Sequence, residues 1–238
     1  RSPLRNPMSQ QSYFYQELQE MLQQPGCPIC HVGRKVARGQ LDALLYDSVT
    51  DKDSRDKLTN SLGFCSMHSR DLLTFSGERL GATIIEWALL REAQRRLRAS
   101  GPAAGASWRQ RLRGQAPAPS ALAADEPCPV CVNQAKLETR SLEELLEHLV
   151  GDLEKPLATA GGLCWPHLEQ AMRSASDPSV HGALVSLHDQ VWQGLVDHMG
   201  EFIRKRDYRY SQETISEEET AAVERSIETL TGAYPRVS

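Results

Sequence analysis

Six cysteines are spread over 238 residues, and all of them fall in four short motifs: GCPIC at 26–30, GFCSMH at 63–68, PCPVC at 127–131 and GLCWPH at 162–167. Each motif offers two donors three positions apart, Cys27 with Cys30, Cys65 with His68, Cys128 with Cys131, and Cys164 with His167. Two donors at that spacing can point at one ion, and two such pairs give three thiolates and an imidazole, a usual set for tetrahedral structural zinc. Taking the pairs in chain order predicts two zinc ions per chain. Cys27, Cys30, Cys65 and His68 would close one site, and Cys128, Cys131, Cys164 and His167 the other. Pro28 and Pro129 suit the first turn of a helix, where no backbone donor is needed. A helix start also favours the thiolate, the form that binds metal. Four protein ligands leave no position for water, so a site of this kind stabilises a fold and is not expected to catalyse.

Other chemistries use the same residues. An iron–sulfur cluster accepts cysteine ligands with an occasional histidine and stands as the alternative cofactor. Metal-bound thiolates can also oxidise and pair as disulfides, which would make the protein redox-sensitive. CPICH at 27–31 matches a c-type haem attachment motif, but Val132 stands where the second copy would need its histidine. The first residues, RSPLRNPMSQQSYFYQEL, show no apolar core of a signal peptide. The expected location is therefore cytoplasmic, where thiols stay reduced. No segment approaches the roughly 20 apolar residues that cross a bilayer.

The elements that must position these donors read as helices. Between the motifs, RGQLDALLYDSV and RSLEELLEHLV place apolar residues at i, i+3 and i+4, the mark of one buried helix face. Leu41, Leu44 and Leu45 stand at the same offset from the first cysteine pair as Leu142, Leu145 and Leu146 from the second, so the chain reads as an internal duplication. Glycines at 63 and 161–162 suit helix stops, and a long helix follows each CxxH motif. The expected fold is all-α, with two related helical halves, each carrying a Cys3His site. The boundaries are a leader at 1–11, with Met8 as a candidate start, a first repeat at 12–100, a linker at 101–126, a second repeat at 127–210, and an acidic helix and tail at 211–238. Ser216 and Glu219 have capping-box spacing in that last helix.

The net charge of −4 argues against a general nucleic-acid binder. FIRKRDYRY at 202–210 does interleave Arg204, Lys205, Arg206 and Arg209 with tyrosines, as contacts to phosphate and base would require. Pairing of these cations with the acidic tail is the favoured reading. A second basic cluster runs from Arg91 to Arg113. His181 and His188, seven apart, are read as surface or satisfied core residues. No catalytic triad, phosphate loop or zinc-protease motif is present, which lowers the expectation of an enzyme.

The segments SYFYQELQEMLQQPGCPIC, LDALLYDSVTD, SLGFCSMH, CPVC, GLCWPH and EFIRKRDYRY, in that order, resemble an uncharacterised bacterial family recorded as a domain of unknown function. The resemblance spans most of the chain and departs mainly at 101–127. It implies a helical protein that keeps both metal sites, and carries no activity with it. The sequence therefore points to a non-enzymatic scaffold or regulatory interaction protein, with protein as the expected partner. An iron–sulfur redox protein and a nucleic-acid-binding regulator are the alternatives.

Overall fold

The structure, a computed structural model, describes residues 13–46, 52–74, 79–100, 122–210 and 212–232. Every regular element in those residues is helical: α1 (Tyr13–Met21), α2 (Pro28–Tyr46), α3 (Lys52–Asn60), α4 (Ser66–Leu73), α5 (Arg79–Ala99), α6 (Pro129–His148), α7 (Glu154–Ala160), α8 (Trp165–Ser174), α9 (Pro178–Lys205) and α10 (Glu217–Thr231). A kinked turn at Leu149–Leu153, where Val150 and Gly151 leave helical geometry, joins α6 to α7. The all-α expectation holds. Helices α2 and α6 start on Pro28 and Pro129, one residue after a cysteine. The expected capping box starts α10, with Glu219 N–H donating to Ser216 Oγ and Ser216 N–H to Glu219 Oε2.

Two compact units form, but they are not the consecutive halves 12–100 and 127–210. Among the described residues, one unit takes those in 13–35 and 135–232, and the other takes those in 36–134. The units therefore do not follow the order of the motifs along the chain. Helix α2 gives its first turns to one unit and the rest to the other, and α6 does the same in reverse.

The first unit is built around Leu18 of α1, Ile29 of α2, Leu142 and Leu145 of α6, Leu157 of α7 and Leu184 of α9, all essentially without solvent exposure. Cys27, Cys30 and Cys164 belong to that same apolar cluster. Helix α10 packs along α9, where Lys205 Nζ meets Glu219 Oε1 at 2.6 Å. The second unit packs Leu41, Leu44 and Leu45 of α2 against Leu58, Leu72, Ile85, Leu89 and Val130.

Residues 101–121 of the expected linker lie outside the described residues, as do the leader 1–11 and the tail 233–238. Residues 122–126 are not a free tether. Arg96 donates to the carbonyls of Ala123 and Thr59 and to Asp125, and the N–H of Asp125 donates to Asn60 O at 2.8 Å. One member of the Arg91–Arg113 cluster is thus spent inside the unit, tying the approach to Cys128 onto the end of α3.

Candidate metal centres

Each donor pair straddles the first turn of a helix. Cys65 and Cys164 are the N-caps of α4 and α8, and His68 and His167 stand three residues on. Cys27 and Cys128 immediately precede α2 and α6, with Cys30 and Cys131 three residues on. N-cap and third helical residue are the two positions whose side chains meet at a helix start, as in a capping box. The positive end of the helix dipole also stabilises thiolates placed there. Local structure therefore aims both donors of a motif at one point.

The pairs meet in crossed order. Cys27 and Cys30 join Cys164 and His167 in the first unit, while Cys65 and His68 join Cys128 and Cys131 in the second. This corrects the grouping by chain order, although the same eight residues are involved. In the first centre Cys30 Sγ lies 3.6 Å from Cys164 Sγ, and His167 Nδ1 lies 3.5, 3.4 and 3.1 Å from the sulfurs of Cys27, Cys30 and Cys164. In the second, Cys131 Sγ is 3.6 Å from Cys65 Sγ, and His68 Nδ1 is 3.3, 3.6 and 3.4 Å from Cys65, Cys128 and Cys131.

These distances can be compared with the edges of a coordination tetrahedron. Bonds of about 2.3 Å to sulfur and about 2.0–2.1 Å to nitrogen set S···S edges near 3.8 Å and S···N edges near 3.5 Å. A disulfide would need about 2.05 Å, so the six thiols are free. Both imidazoles turn Nδ1 toward the sulfurs and Nε2 toward an acceptor. Gln134 Oε1 accepts from His68 Nε2 at 3.1 Å, and Glu138 Oε2 lies 3.8 Å from His167 Nε2. An acceptor behind the ring holds the proton on Nε2 and leaves the Nδ1 lone pair for the ion. Neither acceptor stood out in the sequence, because Gln134 and Glu138 lie on a helix face that reads as ordinary surface.

Charge in the cluster is strained without a cation. In the first centre, burial and the neighbouring thiols push Cys27 well up, and the Cys164 and Cys27 sulfurs pull Cys30 down. Burial works to lower His167, but the sulfurs of Cys164 and Cys30 and the Glu138 carboxylate raise it to about 12. In the second centre burial, then Cys65, pushes Cys131 up to about 12. A divalent ion in each centre would take the place of the protons held on Cys27, His167 and Cys131.

The centres differ in cover. Cys27, Cys30 and Cys164 are 6%, 8% and 2% exposed, whereas Cys65, Cys128 and Cys131 are only half-buried. Part of the cover comes from the end of α10, where a Cβ on Gly232 would sit 3.7 Å from Cys30 Sγ and 3.8 Å from Cys164 Sγ. A cleft of about 790 Å³ between α2, α7, α9 and α10 reaches Cys27 and Cys164 and is lined by His31, Arg34, His198 and Arg225 with Glu224 and Glu228.

The glycines before each CxxH motif pack against the long helix that follows. Gly63 and Gly162 have φ of +92° and +80°, and a Cβ would come within 2.8 Å of Leu89 and 3.1 Å of His188. Leu89 and His188 stand at the same offset, 24 residues, after Cys65 and Cys164. His188 is 2% exposed and fully partnered, accepting the Leu163 N–H at Nε2 (2.8 Å) and directing Nδ1 to Leu184 O (2.7 Å). It is a core histidine that fixes the turn before Cys164, as its reading as a satisfied residue anticipated. His188→Leu, the residue its counterpart already is, should strand the Leu163 N–H and cost the first unit about 1–3 kcal/mol. Two bound metals with a lowered denaturation midpoint is the expected result; an unchanged midpoint would refute the clamp.

The four residues singled out for nucleic acid are engaged elsewhere. Arg204 pairs with Glu201 and Glu213, Lys205 with Glu219 and Arg209 with Asp207, while Arg206 lies over the Phe202 ring. Among the described residues no helix is long and apolar enough to cross a membrane.

Residues 8–237 match the family of unknown function DUF6062. The chain belongs to this family. It is also similar to an "uncharacterized 23.9 kDa protein in xynA 3'region" of Caldicellulosiruptor sp. (strain Rt8B.4), with 23% identity over 216 residues, covering 90% of this chain and 98% of the relative. No solved structure matches. As a DUF6062 member the chain has two clusters able to bind metal, and the family brings no activity that would assign them a reaction.

Proposed function

We propose that this DUF6062 protein is a zinc-structured helical scaffold, in which two closed Cys3His centres organise the chain for interaction with protein partners. The observation that carries this reading is the set of donor distances, 3.1–3.6 Å in both centres, with each histidine backed on Nε2. Donors so close enclose one ion. A cluster of several iron and sulfide atoms needs its ligands spread further apart, so the spacing favours a mononuclear metal over iron–sulfur. Three thiolates and a neutral imidazole suit zinc, and filling all four positions leaves none for a substrate. Burial of one centre inside an apolar cluster also fits a metal that belongs to the fold.

Elemental analysis and an absorption spectrum of protein purified anaerobically, without added metal, test the proposal. Two zinc ions per chain and a colourless sample are expected. Replacement by cobalt should give the intense visible bands of tetrahedral thiolate coordination. Iron with inorganic sulfide, or less than one metal per chain in folded protein, would overturn it.

A further inference from the structure

Helix α5 is apolar on two faces, although only one is needed for the core. Ile85 and Leu89 face inward. On the other side Leu80, Trp87, Leu90 and Leu97 are 75%, 60%, 63% and 60% exposed, and Ile84 beside them is 39% exposed. The first four are spaced seven, three and seven residues apart, the a/d pattern of a coiled-coil seam. Their order is symmetric about a point between Ala88 and Leu89, close to the helix centre, so Leu80 and Leu97 are equidistant from it, as are Trp87 and Leu90.

The fold does not demand this stripe. The counterpart of α5 in the first unit is α9, offset by the 99 residues between Cys65 and Cys164, and the inward Ile85 corresponds there to the buried Leu184. At the positions matching Leu80, Trp87, Leu90 and Leu97, α9 carries Ser179, Ser186, Asp189 and Val196. Three of the four are polar, so a helix in this role works with a solvated outer face.

We propose that the outer face of α5 is a homodimer interface, in which two copies of the chain pair their α5 helices antiparallel across the Leu80–Trp87–Leu90–Leu97 seam. A two-fold contact must be self-complementary, and a symmetric spacing supplies that directly. Antiparallel order sets Leu80 against the partner's Leu97 and Trp87 against the partner's Leu90, a large side chain against a smaller one in the central layers. Parallel order would stack two tryptophans in one layer. It would also bring together the two arginine-rich ends, each holding Arg91, Arg95, Arg96 and Arg98. The exposed apolar area of the stripe is on the order of 500 Å² per copy, so pairing buries about 1,000 Å² before any rim is counted, the lower bound of a specific interface. A stripe of this size, broken by Thr83 and Gln94, lies at the upper end of what a soluble monomer exposes, where such patches are often functional.

Sedimentation and light scattering of the metal-loaded full chain, from about 1 to 100 μM, test the pairing. The expected mass is twice 26.5 kDa. Leu90→Glu should raise the dissociation constant at least about a hundredfold, with metal content and helicity unchanged because the position is exposed. Thr83→Leu with Gln94→Leu, which fills the two symmetry-related polar layers of the seam, should tighten it about tenfold, and this gain does not depend on tolerance of a buried charge. A photo-crosslinking amino acid in place of Leu80 should be captured by the partner's Leu97 peptide. A monomer at every concentration, a dimer indifferent to Leu90→Glu, or capture around the partner's Leu80 would each overturn the proposal.

Discussion

Replacing Cys30 and Cys164 together by serine should remove one metal ion per chain, whereas replacing Cys30 and Cys65 together should remove both. The first pair shares a centre and the second does not. Once Cys30 is gone the first centre has already failed, so adding Cys164→Ser changes little, and the two effects are strongly non-additive. Cys65→Ser acts on a separate centre and its effect adds in full. The cost is large because the Cys30–Cys164 contact spans 134 positions of the chain and the Cys65–Cys131 contact spans 66. By the chain-entropy estimate, a staple closing a loop of that size is worth about 4–5 kcal/mol. That is a major share of an ordinary domain's stability of about 5–15 kcal/mol. Loss of helical signal should therefore accompany each lost ion. Metal counting by mass spectrometry under native conditions reads the result directly. If Cys30→Ser with Cys65→Ser lost only one ion, the crossed assignment would be wrong and the grouping by chain order right.

Metal affinity should fall steeply at both centres as the solution is acidified. A donor whose pKa in the metal-free protein lies above the solution pH holds a proton that the ion must expel, so binding weakens as pH falls and strengthens as it rises. Two donors of the first centre are in that condition at neutral pH, Cys27, pushed well up by burial and then its thiol neighbours, and His167, raised to about 12 by the sulfurs and Glu138 against the effect of burial. For His167 the window runs from neutral pH up to its raised value of about 12. Across it, affinity at the first centre should change by one decade per pH unit for each proton displaced, so by at least about tenfold per unit. Cys131, at about 12, gives the second centre at least one such proton and about tenfold per unit. Competition with a chromophoric chelator at three pH values around neutrality measures both slopes. Affinity independent of pH would contradict the protonation pattern. Chelation should also melt the first unit, because Cys27, Cys30 and Cys164 are part of its apolar cluster.

The sequence by itself determined what is local. Apolar spacing gave the helices, Pro28 and Pro129 gave two of their starts, and the capping box at Ser216 and Glu219 gave another. The three-residue spacing of the donors sufficed to mark all eight candidate ligands, since N-cap and third helical residue converge whatever the rest of the chain does. The outer apolar residues of α5 did not stand out in the sequence, because only burial separates them from its core face.

Tertiary structure decided which motif meets which. The four motifs are chemically near-copies, so a CPxC pair has no local reason to prefer the CxxH pair that follows it over the other one. The choice depends on where α2 and α6 run, each leaving its first turns in one unit and its leucines in the other. Long-range packing likewise made Gln134 and Glu138 the supports of the two histidines and His188 the clamp on Leu163, because each acts through a residue distant in sequence. Periodicity records which face of a helix is buried; what that face is buried against is fixed only when the whole chain packs.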